Sequence, residues 1–119
     1  MHELPIIERV LDLVLAEALP GNRIVTVTLR VGALCDAQPD WLERYFRLAA
    51  GGTVAEEARL EIIREDAAVY CPSCGKESIL ALPLDGALSC TICGYAHVTL
   101  VAGLGYQLES IEVAPDAAM

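Results

Sequence analysis

The cysteines are the residues of this chain whose type and spacing imply chemistry most directly. Cys71 and Cys74 form one Cys-x-x-Cys pair, Cys90 and Cys93 form another, and 15 residues separate the two pairs. Two intervening residues allow a tight turn to direct both sulfur atoms at one metal ion, and this spacing between pairs is typical of tetrathiolate zinc sites. A glycine follows each pair and suits the positive φ that such a turn needs. We therefore predict a closed, structural zinc site without an open position for substrate or activated water.

Other uses of these side chains need features that the chain lacks. Two disulfides or a redox pair would need an oxidising or thioredoxin-like context. A zinc hydrolase or deaminase would need an open metal position and a His-x-Glu pair, and neither His2 nor His97 precedes a glutamate at that spacing. We therefore expect no enzymatic activity. Cys35, outside both pairs, is interpreted as a small, partly buried residue, and His97 as a solvated strand residue.

The amino terminus is the second region with metal chemistry. Met1 and His2 together offer three nitrogen donors. They are the Met1 α-amine, the His2 backbone amide and the His2 ring Nδ1. They close a five-membered and a six-membered chelate ring, which suits the square-planar nitrogen coordination of Ni²⁺ or Cu²⁺. The reference pKa of an α-amine in model peptides is about 7.7–8.0, so deprotonation of such a group at neutral pH costs little. From the residues alone, a solvated His2 without metal remains the alternative.

The composition restricts the partners. The 119 residues include 17 acidic and 8 basic side chains, for a formal charge of −9, and 55% of them are hydrophobic, which is enough for a core. Phosphate backbones would repel such a chain, so we expect no nucleic acid partner. A zinc-ribbon module for protein or nucleic-acid interaction remains the alternative function. No apolar run approaches the ~18 residues of a membrane helix, the acidic start is no signal peptide, and free thiols indicate the cytoplasm.

The hydrophobic periodicity predicts the elements that must position these residues. A helical pattern runs from Ile6 to Ala18 with Pro5 in its first turn, and a second helix begins at Pro39-Asp40 and ends at Gly51-Gly52. In the strand 24–31 the alternation directs Val25, Val27, Leu29 and Val31 to one face and Thr26, Thr28 and Arg30 to the other. Further β-runs cover 59–65, 78–82, 96–101 and 106–113, with a hairpin turn at 83–86.

The order of these elements predicts an α+β fold in which a small mixed sheet carries two helices and a zinc-ribbon-like module is inserted before the last strand. On this interpretation residues 1–68 and 104–119 form one discontinuous domain, and residues 69–103 form the ribbon.

Several features occur together in a recognisable order. They are Met1-His2-Glu3 at the start, an amphipathic helix, a strand ending in Val31-Gly32-Ala33-Leu34, the helix 40–50, the paired cysteine knuckles and the closing Leu108-Glu-Ser-Ile111-Glu112. Over essentially its full length the chain resembles the HypA/HybF family, the zinc-containing nickel chaperones of [NiFe]-hydrogenase maturation.

The resemblance implies roles for particular residues. It makes His2 the essential nickel ligand, with the Met1 amine, with Glu3 as a further candidate and with Asp40 as a nearby carboxylate. The discontinuous domain would then bind nickel, and the ribbon would hold structural zinc on Cys71, Cys74, Cys90 and Cys93. The resemblance also implies that Ni²⁺ is a transient cargo, delivered to the hydrogenase large-subunit precursor together with the GTPase HypB. Some family members also serve urease maturation proteins.

Overall fold

The computed structural model describes residues 3–84 and 86–116. Within these ranges the elements occur in the order α1 (Glu3–Glu17), β1 (Asn22–Gly32), α2 (Pro39–Ala49), β2 (Arg59–Glu65), β3 (Ala68–Cys71), β4 (Lys76–Ile79), β5 (Thr99–Ala102) and β6 (Tyr106–Pro115). The strands form two three-stranded sheets, ordered β2-β1-β6 and β4-β3-β5. The predicted α+β class with two helices is confirmed. None of the helices in the described ranges is long and apolar enough to cross a membrane.

The chain divides into two compact units. The first unit comprises Met1–Arg30, Asp36–Ile63 and Gln107–Met119, and the second comprises Val31–Cys35 and Arg64–Tyr106. The predicted boundaries differ, since they place 31–35, 64–68 and 104–106 in the first domain. Backbone hydrogen bonds account for the first difference: Ala33 N–H donates to Glu65 O at 2.8 Å and Leu34 N–H donates to Gly103 O at 2.9 Å. That each domain binds its own metal stays a prediction.

The first unit has a core made of aliphatic and aromatic side chains. Helix α1 buries one stripe, and α2 buries Leu42 and Phe46 and packs against α1. The α1 stripe recurs at the spacing of helical turns and consists of Ile6, Ile7, Val10, Leu11 and Val14. Full burial of such a side chain stabilises the fold by about 1.5–3 kcal/mol. The predicted helices therefore form because the apolar face of each has a partner.

Strand β1 is more deeply buried than a strand with one solvent-exposed face would be. Val27 and Leu29 are fully buried as predicted, but Ile24 and Thr26 are buried too. Thr26, which the alternation places on the face opposite Val27 and Leu29, is therefore buried as well. Its hydroxyl donates to the Glu112 carboxylate of β6 at 3.0 Å, so its polar atom is satisfied although only 8% of the residue is exposed.

The second unit is built on a short antiparallel sheet with β3 at its centre. Ala68 pairs with Ile79 of β4 and with Ala102 of β5. The turn predicted at 83–86 does not connect two paired strands, because it lies between β4 and β5, which are not neighbours in this sheet. Asp85 of that turn lies outside the described residues. Instead the first cysteine knuckle is the turn between β3 and β4.

One close backbone approach in the second unit requires glycine. Gly103 has a φ of 96°, and a Cβ there would lie 2.4 Å from the Cα of Ala67. A Cβ on Gly32 would lie 2.2 Å from the carbonyl oxygen of Gly103. Real Cβ atoms do not tolerate such distances, so the strand segments can meet only because both residues lack a side chain. This contact brings Ala33 and Leu34 onto a small core of Ala67, Val69 and Leu80.

Candidate metal centre

Two nearly identical turns position the four predicted cysteines of the second unit. In the first, Gly75 N–H donates to Cys71 O at 2.8 Å, and in the second, Gly94 N–H donates to Cys90 O at the same distance. Both glycines have positive φ, 73° and 82°, as the sequence pattern predicts. Cys71 is the last residue of β3, so the sheet itself fixes the first turn. A hydrogen bond from Thr91 N–H to Ser78 Oγ, at 3.4 Å, connects the second turn to β4.

The four sulfur atoms lie close enough together to coordinate one ion. The Sγ atoms of Cys71 and Cys93 are 3.5 Å apart, those of Cys74 and Cys90 are 3.8 Å apart, and all four lie within 4.8 Å of one another. Tetrahedral Zn²⁺ with bonds of 2.3 Å would separate its sulfur ligands by about 3.8 Å. All four cysteines are free thiols, so neither disulfide pairing is formed. The donor set and the distances fit zinc.

Backbone N–H groups surround the most acidic thiol of the quartet. Cys93 N–H donates to Cys90 Sγ at 3.4 Å and Ile92 N–H donates to it at 3.3 Å. The Cys93 N–H, followed by that of Ile92, lowers the pKa of Cys90 to about 6, against the opposing effect of burial. Hydrogen bonds to the charged form stabilise a thiolate in this way. The turn therefore prepares one anionic sulfur before any cation is bound.

The thiols of Cys93 and Cys74 ionise less readily, in part because neighbouring sulfur atoms crowd them. The Tyr95 N–H favours the thiolate of Cys93, but the neighbouring Cys71 side chain and burial outweigh it and raise the pKa to about 11. The pKa of Cys74 is also raised, since burial and the Cys71 and Cys90 side chains outweigh the Lys76 N–H. A divalent cation at the centre would supply the positive charge that deprotonates all four thiols. The arrangement is therefore a closed cation-binding centre.

The remaining residues with metal chemistry lie elsewhere. Cys35 is half-buried and is not part of the quartet, and exposed His97 makes an edge-on contact with Tyr95, with 5.6 Å between ring centroids. Within residues 3–84 and 86–116, the quartet is the only group of three or more His, Cys, Asp or Glu side chains close enough to hold a metal ion. Met1 and His2, the predicted nickel ligands, lie outside the described residues.

Glu3, the first residue that the structure describes, makes a contact that no sequence pattern predicts. Glu3 begins α1, and its Oε2 accepts a hydrogen bond from the backbone N–H of Gln38 at 3.0 Å. Gln38 is the N-cap of α2, and exposed Asp40 lies in the first turn of that helix. The structure therefore brings Glu3 and Asp40, which are 37 positions apart in the chain, to one end of α2. No local pattern could predict this, because the contact depends on how α1 packs against α2.

Comparison with known proteins gives a consistent family. The family model described as "Hydrogenase/urease nickel incorporation, metallochaperone, hypA" matches residues 1–113. A hydrogenase maturation factor HypA of Methylocella silvestris is 36% identical over 116 residues, covering 95% of this chain and 99% of that protein. The HypA of Geobacter metallireducens is 33% identical over 114 residues with the same coverage.

Solved structures with the same fold carry the same family name. The solution structure of the Ni metallochaperone HypA from Helicobacter pylori superposes with a TM-score of 0.66 at 20% identity and covers 98% of this chain and 100% of that one. A second solution structure of a HypA protein gives a TM-score of 0.70 at 19% identity. At this level of identity the likeness concerns the fold.

Proposed function

This chain belongs to the HypA family of hydrogenase and urease nickel-incorporation metallochaperones, and we propose that it carries Ni²⁺ for insertion into the large-subunit precursor of a [NiFe]-hydrogenase. The observation that carries the proposal is the full-length family match together with the amino-terminal sequence Met1-His2. The proposed role is transport and not catalysis. A carrier must release its cargo, and a chelate at a chain terminus suits release better than an enclosed cage.

The proposed nickel ligands are the Met1 amine, the His2 backbone amide and the His2 ring nitrogen, with Asp40 as a nearby carboxylate. Their chemistry supports this assignment, because three nitrogen donors in two fused chelate rings suit Ni²⁺. Glu3 stands next to His2 in the chain, and its carboxylate contacts the N-cap of α2, two residues before Asp40. Glu3, which follows His2 in the sequence, and Asp40 therefore belong to one part of the first unit, which supports the proposed site.

The proposed role of the thiol quartet is structural zinc binding by Cys71, Cys74, Cys90 and Cys93. The short distances between the sulfur atoms support it, as does the match of four thiolates to the tetrahedral coordination of structural zinc. Zinc would stabilise the fold of the second unit and take no part in carrying nickel. The proposed partners are the GTPase HypB and the hydrogenase large-subunit precursor, with urease maturation proteins as further clients, and the proposed location is the cytoplasm.

A titration of the zinc-loaded protein with Ni²⁺ tests this function. We expect about one Ni²⁺ per chain, and we expect His2→Ala to abolish this binding because it removes the ring nitrogen and one chelate ring. One residue added before Met1 should have the same effect, since it moves the terminal amine out of register. Calorimetry measures the nickel, and atomic absorption shows that zinc stays bound. Equal nickel affinity in the wild type and both variants would contradict the proposed site.

A further inference from the structure

The carboxylate of Glu3 is already engaged in the described structure. Its Oε2 lies 3.0 Å from the backbone nitrogen of Gln38, a residue 35 positions further along the chain. Both residues belong to the first unit, so the bond connects the beginning of α1 with the beginning of α2. A carboxylate that accepts a backbone N–H forms a charge-assisted hydrogen bond, which is shorter and stronger than a bond between neutral groups.

The beginning of α2 needs such an acceptor. The side chain of its N-cap residue, Gln38, makes no capping hydrogen bond, and Pro39 follows it without a backbone N–H. Helix N-termini carry unsatisfied N–H groups and a partial positive charge, and a carboxylate satisfies both. Glu3 also lies in the first turn of α1, where an acidic side chain is favourable for the same reason. The carboxylate therefore interacts favourably with the N-terminal ends of two helices at once.

From this contact we propose that Glu3 is a positioning residue of the proposed nickel site, joining the beginning of α1 to the N-terminal end of α2. The inference rests on the proposed function, because it concerns the same site. Adjacent Cα atoms are about 3.8 Å apart, so a residue fixed at position 3 restricts where His2 can be. Asp40 follows Gln38 by two residues, so the same bond keeps the beginning of α1 at the end of α2 that carries that carboxylate.

The proposed role changes the interpretation of Glu3 as a nickel ligand. Ordering a flexible segment costs conformational entropy, and a bond made before the metal arrives reduces the cost that remains at binding. A positioning residue needs only an acceptor oxygen, whereas a ligand to Ni²⁺ needs the anionic carboxylate. Glu3→Gln distinguishes the two roles, because the glutamine amide oxygen can still accept the Gln38 N–H. Gln38→Pro removes the donor and leaves Glu3 intact.

The experiment compares Glu3→Ala, Glu3→Gln, Gln38→Pro and the double variant Glu3→Ala/Gln38→Pro, with Glu8→Ala as the matched control. Glu8 lies on the same helix and is exposed. The probe is Ni²⁺ added to zinc-loaded protein, followed by calorimetry. The fluorescence of Trp41, the only tryptophan, which lies in α2 next to Asp40, gives an independent signal. Hydrogen exchange of the Gln38 amide in nickel-free protein reports the bond itself.

We expect Glu3→Ala and Gln38→Pro each to weaken nickel binding about tenfold, the equivalent of one good hydrogen bond. Glu3→Gln should stay within about threefold of the wild type, and the double variant should be no weaker than Glu3→Ala, since that variant already lacks the bond to Gln38. In nickel-free protein, exchange of the Gln38 amide should be about tenfold faster in Glu3→Ala than in the wild type or Glu8→Ala.

Two results would overturn the proposal. If Glu3→Gln lost as much affinity as Glu3→Ala while Gln38→Pro lost none, Glu3 would be a ligand and not a positioning residue. Unchanged affinity in Glu3→Ala would exclude both roles. Failure of the proposed function looks different: His2→Ala would then bind nickel as the wild type does, whereas the exchange of the Gln38 amide would still show whether the bond exists.

Discussion

The two compact units reach a stable fold by different physical means. Most of the largest fully buried side chains of the protein belong to the first unit, namely Ile7, Val10, Val14, Ile24, Val27, Leu29 and Leu42. In the second unit the corresponding residues are Val31, Val69 and Cys71, and the last of these is one of the clustered thiols. Large apolar side chains remain exposed there, including Ile79 at 60% and Leu104 at 65%.

This difference bears on the proposed division of the molecule into a nickel-binding unit and a zinc-binding unit. A unit with an extended aliphatic core can fold without a cofactor, because each buried large side chain contributes about 1.5–3 kcal/mol. A short three-stranded sheet with a small core cannot offset its conformational entropy in this way, and small domains of this kind depend on a metal or on disulfides. The proposed nickel site would therefore belong to the unit whose fold does not depend on the zinc.

Loss of one zinc ligand should have the largest effect and should affect only the second unit. We expect Cys74→Ala to release zinc and to disorder residues 69–103, since the apparent free energy of structural zinc binding is about 10–16 kcal/mol in small zinc modules. The amide NMR spectrum should lose dispersion for β3 to β5. The circular dichroism signal at 222 nm should persist, because α1 and α2, the helices of the described residues, belong to the first unit.

Cys35→Ala is the matched control for this experiment. Cys35 is a half-buried thiol of the same unit and lies outside the quartet. It should keep zinc and an unchanged spectrum. Loss of the helical signal in Cys74→Ala would show that the two units do not fold independently, and retention of zinc would show that the four thiols are not one site.

A core substitution in the first unit should lower the stability of that unit and leave zinc binding in the second unit unchanged. Leu42 of α2 is fully buried, and Leu42→Ala should lower the free energy of unfolding by about 2–5 kcal/mol, because it removes buried methyl groups and leaves a cavity. Urea denaturation followed at 222 nm measures this loss. Zinc content should not change, because the quartet belongs to the other unit.

Leu48→Ala on the same helix is the control, because it makes the same change in helix propensity without removing buried side-chain atoms. Leu48 is 77% exposed, so the change should alter stability by less than about 0.5 kcal/mol. If both leucine variants were equally destabilised, the core assigned to α2 would be wrong. If Leu42→Ala also released zinc, the stabilities of the two units would be coupled.

The two units also differ in how much of their secondary structure and strand pairing can be predicted from the sequence. In the first unit, regular hydrophobic periods over long segments predict both helices and β1 almost to their ends, because amphipathic faces leave a clear pattern. In the second unit, β3 has only four residues, Ala68–Cys71, which is too short for a recognisable alternation. The sequence also does not reveal the pairing of β3 with β4, because the turn that joins them is a cysteine knuckle and not a typical hairpin turn.

The candidate sites show the same contrast. The quartet follows from spacing, since two knuckles with suitable turns can direct four sulfur atoms to one point, and the structure brings these atoms together. The contact of Glu3 with Gln38 spans 35 positions and carries no local signal. The hydroxyl of Thr26 is similar, because only the pairing of β1 with β6 reveals that Glu112 accepts from it. Local chemistry was predictable, and contacts between distant segments were not.

The smallest expected effect concerns an ion pair at the surface of the first unit. Arg30 Nε and Nη2 donate to the two carboxylate oxygens of Glu109 at 2.9 and 2.8 Å. These hydrogen bonds, together with the charge of Arg30, lower the pKa of Glu109 against the opposing effect of burial. About a third of each side chain is exposed, so water screens the pair and its contribution is modest.

The pH dependence of this pair follows from the direction of the shift. Because the folded state lowers the pKa of Glu109, the pair stabilises the fold fully above the unfolded pKa of about 4.3 and loses this effect as the pH falls through the lower folded value. Glu109→Gln should therefore have a slightly lower Tm than the wild type at neutral pH, and the difference should shrink below about pH 4. Thermal scans at 222 nm measure this difference without interference from acid release of zinc, because the signal comes from the helices of the first unit.

Glu8→Gln, an exposed substitution on α1, is the control, and its Tm difference from the wild type should not decrease in this way as the pH falls. A Tm difference that stays constant down to about pH 3 would mean that the stabilisation does not come from the ionised carboxylate.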